Sequence, residues 1–360
     1  MNNAGTMEIE YTEYINKCFR EIFRHSCRTR SFRLLFKYWV NLLEGASVPI
    51  PSFPRLEELK VNSGLAKHFP ISLDPFLNSP RLQQVSWLCR QYPEPLIRIG
   101  AQITQLTYPD LVYYVDEKIT ALLRAFPNLT YLDVCRKGHV PFDLDIPVHP
   151  RNLHTFRSSE IVLHLGIAPN LRHLILELSL GNCTCLPQFL SQSPQIECLD
   201  LNISCCVLPD SPIFQFAPLS PCLVTLNITF RTVPSVLTLE KAFEMLTRTA
   251  NLTSTLPKLQ HFTLNVPCFG HTLVPLNSEM LLRMLESRCN YGQTFPDSAP
   301  TVAALRSCTI NREDREGNPV HDSSLYQMAD ARRRLKMLQN HGLVLEGNTF
   351  TSILDDHRLL

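Results

Sequence analysis

The chain repeats one pattern of hydrophobic and polar positions along most of its length. Most copies start with proline and one or two variable residues, followed by an apolar residue, two variable residues and apolar residues at alternating positions; the copies at 102–108 and 304–310 are weaker and lack the proline. Clear copies are residues 126–134 (FPNLTYLDV), 168–176 (APNLRHLIL) and 193–201 (SPQIECLDL). Alternation of this kind predicts a β-strand with one buried face. The first apolar residues of ten copies are Leu56, Leu82, Ile103, Leu129, Leu153, Leu171, Ile196, Leu223, Leu259 and Leu305.

The spacing of the copies indicates a stacked architecture. The steps from Leu171 to Ile196 and from Ile196 to Leu223 are 25 and 27 residues, within the roughly 20- to 29-residue period of leucine-rich repeats. A single repeat cannot cover its own apolar side, so neighbouring repeats must stack to bury it. The sequence therefore predicts an α/β fold, namely a leucine-rich-repeat solenoid with a curved parallel sheet and irregular helices and loops on its outer face.

Several connections between the predicted strands have apolar residues at the intervals of an α-helix. Residues 115–126 (VDEKITALLRAF), 239–249 (LEKAFEMLTRT) and 278–288 (SEMLLRMLESR) place apolar side chains three and four residues apart, which is typical of an amphipathic helix. Residues 186–191 leave room for one helical turn only. We therefore expect helices of unequal length between the strands.

The C-terminal part has its own pattern. Residues 324–340 predict a helix with one apolar face, and Gly342 follows at the position of a C-cap. The next segment, 343–347 (LVLEG), predicts a short strand. The charged and polar residues 311–322 predict a loop.

Three segments are expected from these patterns. Residues 1–50 form an N-terminal helical or capping segment, residues 51–347 an irregular leucine-rich-repeat solenoid of about ten strands, and residues 348–360 a C-terminal tail. The first segment carries a basic run that fits either a solvated face of a capping helix or a surface for an acidic partner or a phosphoinositide. Its members are Lys17, Arg20, Arg24, Arg28, Arg30, Arg33 and Lys37.

Composition narrows the classes of function. Lys and Arg number 34 against 33 Asp and Glu, and the net charge is +1. This balance argues against nucleic-acid binding, which depends on excess positive charge. Only 12 residues are glycine, whereas 27 are proline, so glycine-rich loops that hold phosphates are not expected.

The location of the protein is predicted from the absence of targeting signals and from its cysteines. The N-terminus has no apolar core of a signal peptide, and no uncharged apolar stretch is long enough to predict a membrane span. The 13 cysteines are an odd number spread over the chain, which favours buried free thiols over a disulfide framework. We expect an intracellular, cytoplasmic or nuclear protein that neither enters a membrane nor binds nucleic acid.

The sequence predicts neither a catalytic nor a metal-binding site. The Cys183-x-Cys185 pair and the adjacent Cys205 and Cys206 lack the spacing of a zinc ribbon. Hydrolase, phosphate-binding and dinucleotide-binding motifs are missing as well. The sequence thus predicts a non-enzyme without cofactors. An enzyme remains one hypothesis, because it would need Cys, His and Asp side chains to converge.

Function is expected on the concave face of the sheet. Side chains there alternate with the buried ones and are polar and of mixed charge, as in surfaces that bind proteins by complementarity. The candidate protein-binding residues are Glu58, Lys60, Tyr131, Asp133, His173, Glu177, Asp200, Asn202, Asn227, His261 and Asn265.

Several segments resemble the leucine-rich-repeat region of the fungal, mushroom-type F-box proteins. They are residues 168–176, 280–290 (MLLRMLESRCN) and 333–347 (RRLKMLQNHGLVLEG), together with 25–36 (HSCRTRSFRLLF), in which Thr29 replaces a common Trp. The resemblance implies a substrate receptor of an SCF ubiquitin ligase, in which an F-box binds the adaptor and the repeats hold the target. The F-box itself is not found in this sequence.

The leading hypothesis is therefore a non-enzymatic protein-interaction module that resembles the substrate-binding repeats of an F-box receptor. The alternative is a leucine-rich-repeat scaffold unrelated to ubiquitination. In the first case an SCF adaptor is a partner only if an F-box lies upstream of this chain. In both cases we expect a monomer that binds a protein target.

Overall fold

The structure is a computed structural model that describes the chain in segments. Two compact units are distinguished, Met1–Arg157 with His164–Ala168 and Ser158–Leu163 with Pro169–Leu360. We call them the N-terminal and the C-terminal unit. The described residues are 17, 20–21, 23–35, 51–64, 73–89, 94–108, 123–134, 150–158, 168–178, 186–204, 212–248, 256–268, 276–289, 303–314, 318 and 329–354.

The described residues contain twelve strands, and within each unit the order of the strands in the sheet is their order in the chain. In both units the described strand pairs are parallel. The strands are β1 (Ser31–Leu35), β2 (Glu58–Gly64), β3 (Gln84–Cys89), β4 (Gln105–Thr107), β5 (Tyr131–Val134), β6 (Thr155–Ser158), β7 (His173–Leu178), β8 (Cys198–Ile203), β9 (Thr225–Phe230), β10 (His261–Pro267), β11 (Ser307–Glu313) and β12 (Val344–Glu346).

Each of the ten sequence repeats supplies one strand, from β2 to β11. The predicted register is confirmed in the C-terminal unit, because Leu174, Leu199 and Leu226 are paired neighbours in β7, β8 and β9. All three side chains are fully buried. The period-2 pattern therefore determines which face of the sheet forms the core.

In most repeats a proline lies in a tight turn before the strand. In the copy around Pro221, the N–H of Leu223 donates to the carbonyl of Ser220 over 3.2 Å, and proline is favoured at the second position of such a turn because its φ is fixed near the required value. The next two N–H groups, of Val224 and Thr225, both donate to the carbonyl of Glu197 in the preceding repeat. The turn thus leads directly into the hydrogen-bond ladder of the sheet, and the N–H groups of residues 223–225 all have acceptors.

Helices of unequal length connect the strands. In the C-terminal unit they contact one another in chain order, including the 3₁₀ helix Pro212–Leu219 between α3 and α4, and so form a second layer. The helices are α1 (Asp74–Leu77), α2 (Glu94–Ile97), α3 (Leu186–Gln192), α4 (Val236–Leu246), α5 (Ser278–Arg288), α6 (Ala329–Asn340) and α7 (Asn348–Leu354). Short 3₁₀ turns occur at Ser26–Arg28 and Gly100–Gln102.

Most predicted helices are confirmed where the structure describes them. Helices α4 and α5 bury the apolar side chains that predicted them, among them Phe243 and Leu285. Only the end of the predicted helix at 115–126 falls within the described residues, where 123–125 are helical. The paired cysteines at 183, 185, 205 and 206 lie outside the described residues.

Two local predictions differ from the structure. The loop expected at 311–322 is wrong at its start, because residues 311–313 continue β11 and pair with β10; the sheet supplies backbone partners that the polar sequence does not reveal. Strand β1 (Ser31–Leu35) was not predicted. Its single buried leucine, Leu34, gives a weak alternating signal, and pairing with β2 provides the rest.

Helix α6 packs on α5 through an ion-pair network as well as through apolar contacts. The Arg334 guanidinium donates to both carboxylate oxygens of Glu286 over 2.7 Å and to Glu279 over 2.7 Å. A charged residue opposite the apolar face of the predicted helix 324–340 would ordinarily face solvent. The fork of the guanidinium instead matches two carboxylates on the neighbouring helix.

The predicted C-cap of α6 is confirmed. Gly342 has a positive φ of 91°, its N–H donates to Gln339, and the N–H of Leu343 donates to Leu338. This hydrogen-bond pattern is a Schellman motif, which favours glycine because a Cβ is unfavourable at positive φ.

Two glycines of similar φ predict different costs of substitution. A Cβ on Gly342 would meet no atom within 4 Å, whereas a Cβ on Gly347 (φ 93°) would overlap the carbonyl of Ile310. We expect Gly342→Ala to lower the free energy of unfolding by about 1 kcal/mol, and Gly347→Ala by about 2–4 kcal/mol because steric overlap adds to the backbone strain. Denaturant unfolding of both variants measures the difference, and equal losses would contradict this account.

The described cysteines are free thiols, three of them buried (Cys89, Cys268 and Cys308). Among the described helices, none combines the length and the apolar character that crossing a lipid bilayer requires.

Candidate protein-binding face and a His–Cys–Asp cluster

All eleven candidate residues lie on strands at positions that alternate with the core residues. Ten are half-buried, and Asp133 is buried. In the N-terminal unit Glu58 and Tyr131 lie in one row across β2–β5, and Lys60 and Asp133 lie in the next. Within each unit these residues lie on the same side of the strands. Their role in binding remains a prediction.

In the C-terminal unit the corresponding side chains form three rows across the strands, which we call the polar face. Register brings residues distant in sequence into direct contact on it. The rows are His173, Cys198, Thr225, His261 and Ser307; then Ile175, Asp200, Asn227, Thr263 and Thr309; then Glu177, Asn202, Thr229, Asn265 and Asn311.

Hydrogen bonds connect neighbouring strands along this face. The Asn311 amide donates to Asn265 over 2.9 Å, and the Asn265 amide donates to the Thr229 hydroxyl over 2.9 Å. In another row, His261 Nδ1 lies 2.8 Å from the Ser307 hydroxyl. These cross-strand bonds hold the side chains in fixed positions, so the face presents an ordered set of donors and acceptors.

The most closely connected group on the polar face surrounds Asp200. One carboxylate oxygen accepts from His173 Nε2 over 2.8 Å, and the other accepts from the Asn227 amide over 2.5 Å. The Cys198 thiol lies 3.8 Å from the second oxygen. Imidazole, thiol and carboxylate offer ligand atoms that all lie within 4.8 Å of one another. We call His173, Cys198 and Asp200 the HCD cluster.

The local fold explains the convergence. Cys198 and Asp200 are two residues apart on β8 and so point to the same side of the sheet, and His173 is the partner of Cys198 on β7. Strand geometry alone therefore places the three side chains together. Their half-buried position leaves 34% of the His173 side chain and 23% of the Asp200 side chain exposed.

Electrostatics within the cluster favour the charged pair. The hydrogen bond to Asp200, followed by that to Cys198, raises the pKa of His173 from 6.5 to about 10 against the opposing effect of burial. Burial alone would raise the pKa of Asp200, but hydrogen bonds from His173 and Asn227 hold that pKa below its ordinary value. An imidazolium–carboxylate pair is the form expected at neutral pH.

This pair predicts a pH dependence of stability. Because the folded state raises the pKa of His173, its stabilisation is complete below pH 6.5 and is lost as pH rises through about 10. We therefore expect the free energy of unfolding to fall between these limits in the wild type and to fall less in His173→Gln. Partial exposure and salt screening reduce the size of the effect.

Denaturant unfolding across this pH range, with a chelator present, measures the difference. His261→Gln is the matched control, because His261 is a half-buried histidine of the same row bonded to a serine hydroxyl. It should keep the wild-type pH dependence. Parallel curves for wild type and His173→Gln would contradict the assignment.

Two residues of this face were not among the predicted candidates. Cys198 was not among the candidates because the cysteines were interpreted as buried apolar residues, and Asn311 was assigned to a loop. Alternation along β8 places Cys198 on the same side as Asp200. Pairing of β10 with β11 places Asn311 beside Asn265. The convergence of Cys, His and Asp that an enzyme would need is present in the HCD cluster.

Parallel strands in chain order, one per repeat, with helices packed in a second layer, define an α/β protein of the leucine-rich-repeat class. No protein-family model matches the chain, and no curated protein matches it in sequence. The class therefore rests on the repeat and topology of the chain itself.

Two bacterial proteins are among the solved structures that are similar to the chain. One is a protein from Bacteroides fragilis, with 11% identity, a TM-score of 0.38 and coverage of 82% of this chain and 65% of that one. The other is the leucine-rich repeat-containing protein LegL7 from Legionella pneumophila, with 15% identity, a TM-score of 0.41 and coverage of 86% of this chain and 98% of that one. The chain thus spans less than two thirds of the length of the Bacteroides fragilis protein.

Proposed function

We propose that this protein is a non-enzymatic interaction module that binds a protein partner on the polar face. The observation that carries the proposal is the set of cross-strand rows, in which ordered amides, hydroxyls and charged groups are half-exposed side by side. Protein interfaces use such fixed polar groups for complementarity, and repeat proteins bind along extended sheet faces.

The charge pattern of the face favours a partner of mixed polarity. Glu177 is 3.5 Å from Arg231, and Asp200 is paired with His173, so both carboxylates have cationic neighbours on the protein itself. A strongly basic or acidic partner would gain little from such a surface. Amide rows instead offer donors and acceptors to a polypeptide backbone or to polar side chains.

Two variants, each with one arginine introduced on a different surface, test the proposal. Asn202→Arg places a long cation in the third row of the polar face, whereas Asn340→Arg makes the same exchange at an exposed position of α6. We expect Asn202→Arg to lose proteins that the wild type retains in quantitative affinity capture from its native cells, and Asn340→Arg to retain them. If both variants retain the same proteins, the polar face is not the binding surface.

A finer proposal is that these repeats hold the target of an SCF ubiquitin ligase. It is supported by the sequence resemblance of residues 168–176, 280–290 and 333–347 to mushroom-type F-box proteins. Recruitment of the adaptor would require an F-box encoded upstream of Met1. The alternative is a leucine-rich-repeat scaffold with no connection to ubiquitination.

The reading frame upstream of Met1 distinguishes the two. If it encodes an F-box, the complete product should bind purified SCF adaptor, and deletion of the F-box should abolish this binding. If the transcript starts at Met1 and the chain recovers no adaptor, the ligase proposal fails. That result would leave the interaction module itself intact, because the polar face is tested by a different variant.

A further inference from the structure

The HCD cluster combines three different metal-binding groups on two rigid, adjacent strands. Imidazole is a borderline donor, thiolate a soft one and carboxylate a hard one, and together they suit zinc and its neighbours in the first transition row, whereas magnesium and calcium prefer oxygen alone. The groups form a triangle in which each lies close to the other two. A catalytic triad would need a linear relay in which the imidazole separates thiol and carboxylate; here Asp200 is bonded to His173 and also lies next to Cys198.

The distances match a metal site after a small adjustment. With zinc–ligand distances of about 2.0–2.3 Å, a tetrahedral site separates nitrogen from oxygen by about 3.4 Å and sulfur from oxygen by about 3.6 Å. In the structure, His173 Nε2 and Asp200 Oδ2 are 2.8 Å apart, and Cys198 Sγ and Asp200 Oδ1 are 3.8 Å apart. The imidazole nitrogen and the carboxylate oxygen would have to separate by about 0.6 Å, and the thiol sulfur, within 4.8 Å of both groups, would have to approach by up to about 1 Å. Rotation of the three side chains can supply both changes on the two strands.

The surroundings support the same conclusion. Asn227 donates from β9 to the Asp200 carboxylate, as residues that orient metal ligands do. All three ligand residues are half-buried, so an ion can reach them from the open side of the sheet, where water can complete the coordination. Catalytic zinc sites likewise use three protein ligands and one water.

We propose that His173, Cys198 and Asp200 bind one divalent transition-metal ion of the zinc class. The imidazole nitrogen, the thiolate sulfur and a carboxylate oxygen are the ligands. Binding replaces the hydrogen bond between His173 and Asp200 and requires the thiolate and the neutral imidazole, so the protons of the thiol and the imidazolium leave to solvent. The ion would then join β7 to β8.

Cobalt(II) is the probe, because a cobalt–thiolate bond gives a charge-transfer absorption that reports the sulfur ligand directly. The full chain, reduced and treated with a chelator that is then removed, is titrated with cobalt(II) at mildly alkaline pH. We expect a thiolate charge-transfer band that saturates with one equivalent and disappears when zinc is added. Magnesium should leave the band unchanged.

Matched variants separate this site from other thiols and histidines. Cys198→Ser should abolish the band, whereas Cys222→Ser, at another half-buried cysteine, should keep it. His173→Gln should weaken cobalt binding by more than the roughly 10- to 100-fold that loss of a ligand-orienting residue causes, and His261→Gln should leave it unchanged. Asn227→Ala should weaken it about 10-fold.

Circular dichroism and unfolding curves without metal establish that each variant is folded. A wild type without the band, a Cys198→Ser variant that retains it, or equal losses in Cys198→Ser and Cys222→Ser would each overturn the proposal. Should one variant fail to fold, Asp200→Asn supplies a second ligand substitution of nearly the same shape. Binding in that variant equal to the wild type would also overturn it.

Discussion

Leu199→Asp is expected to unfold the strands around β8 and to lower the free energy of unfolding by about 4 kcal/mol or more. Leu199 is fully buried, and its paired neighbours Leu174 and Leu226 are fully buried too. Loss of a buried leucine alone costs about 2–5 kcal/mol, and an unpaired carboxylate in that position adds a large desolvation cost. In a repeat protein the damage should be greatest in the adjacent repeats.

Thermal unfolding measures the overall loss, and hydrogen exchange of β7, β8 and β9 locates it. Asn202→Asp is the matched control, because it adds the same charge to the same strand on the half-buried side. It should change stability far less, since water still reaches that position. A melting temperature of Leu199→Asp equal to the wild type would refute the register.

Arg288→Met is expected to lower the free energy of unfolding by about 3–5 kcal/mol. Arg288 is fully buried at the end of α5. Its Nε donates to the carbonyl of Leu246 over 2.6 Å, and its Nη1 donates to the carbonyl of Leu256 over 2.8 Å. Methionine keeps much of the apolar stem but leaves both carbonyls without these donors, and an unsatisfied buried acceptor is costly.

The positions of the two acceptors explain why an arginine is buried here. Leu246 is the last residue of α4, where helical carbonyls lack partners within the helix. Leu256 precedes Pro257 and has a strained positive φ of 54°, so a hydrogen bond to its carbonyl helps to hold an unfavourable conformation. One guanidinium thus joins a helix end to the turn that starts β10.

Denaturant unfolding tests this role. Arg283→Met on the same helix is the control, because that side chain is 69% exposed and its loss should change stability by no more than about 0.5 kcal/mol. Arg288→Lys should give an intermediate loss, since an ammonium group cannot reproduce the guanidinium fork. If Arg288→Met were as stable as Arg283→Met, the two carbonyl bonds would not contribute to stability.

The sequence by itself determined the strands and their buried faces. Alternation fixes which side of a strand is apolar, and in most repeats proline fixes the turn before it, so the ten repeats predicted β2 to β11. A glycine directly after the helical pattern of residues 324–340 predicted the C-cap at Gly342. Both signals are local, because they depend on residues only a few positions apart. The same alternation led to the eleven candidate residues, which in each unit lie at strand positions that alternate with the core residues.

Only the tertiary structure decided which side chains meet. The cluster of His173 with Cys198 and Asp200 depends on the register between β7 and β8, 25 residues apart in the chain for the first pair, and no local pattern encodes that contact. In the sequence, Arg288 is one charged residue at the end of a predicted helix. Only the tertiary structure shows that it is buried and bonded to the carbonyls of Leu246 and Leu256. Strand β1 and the end of β11 likewise exist because a neighbouring strand supplies their hydrogen bonds, which composition alone cannot express.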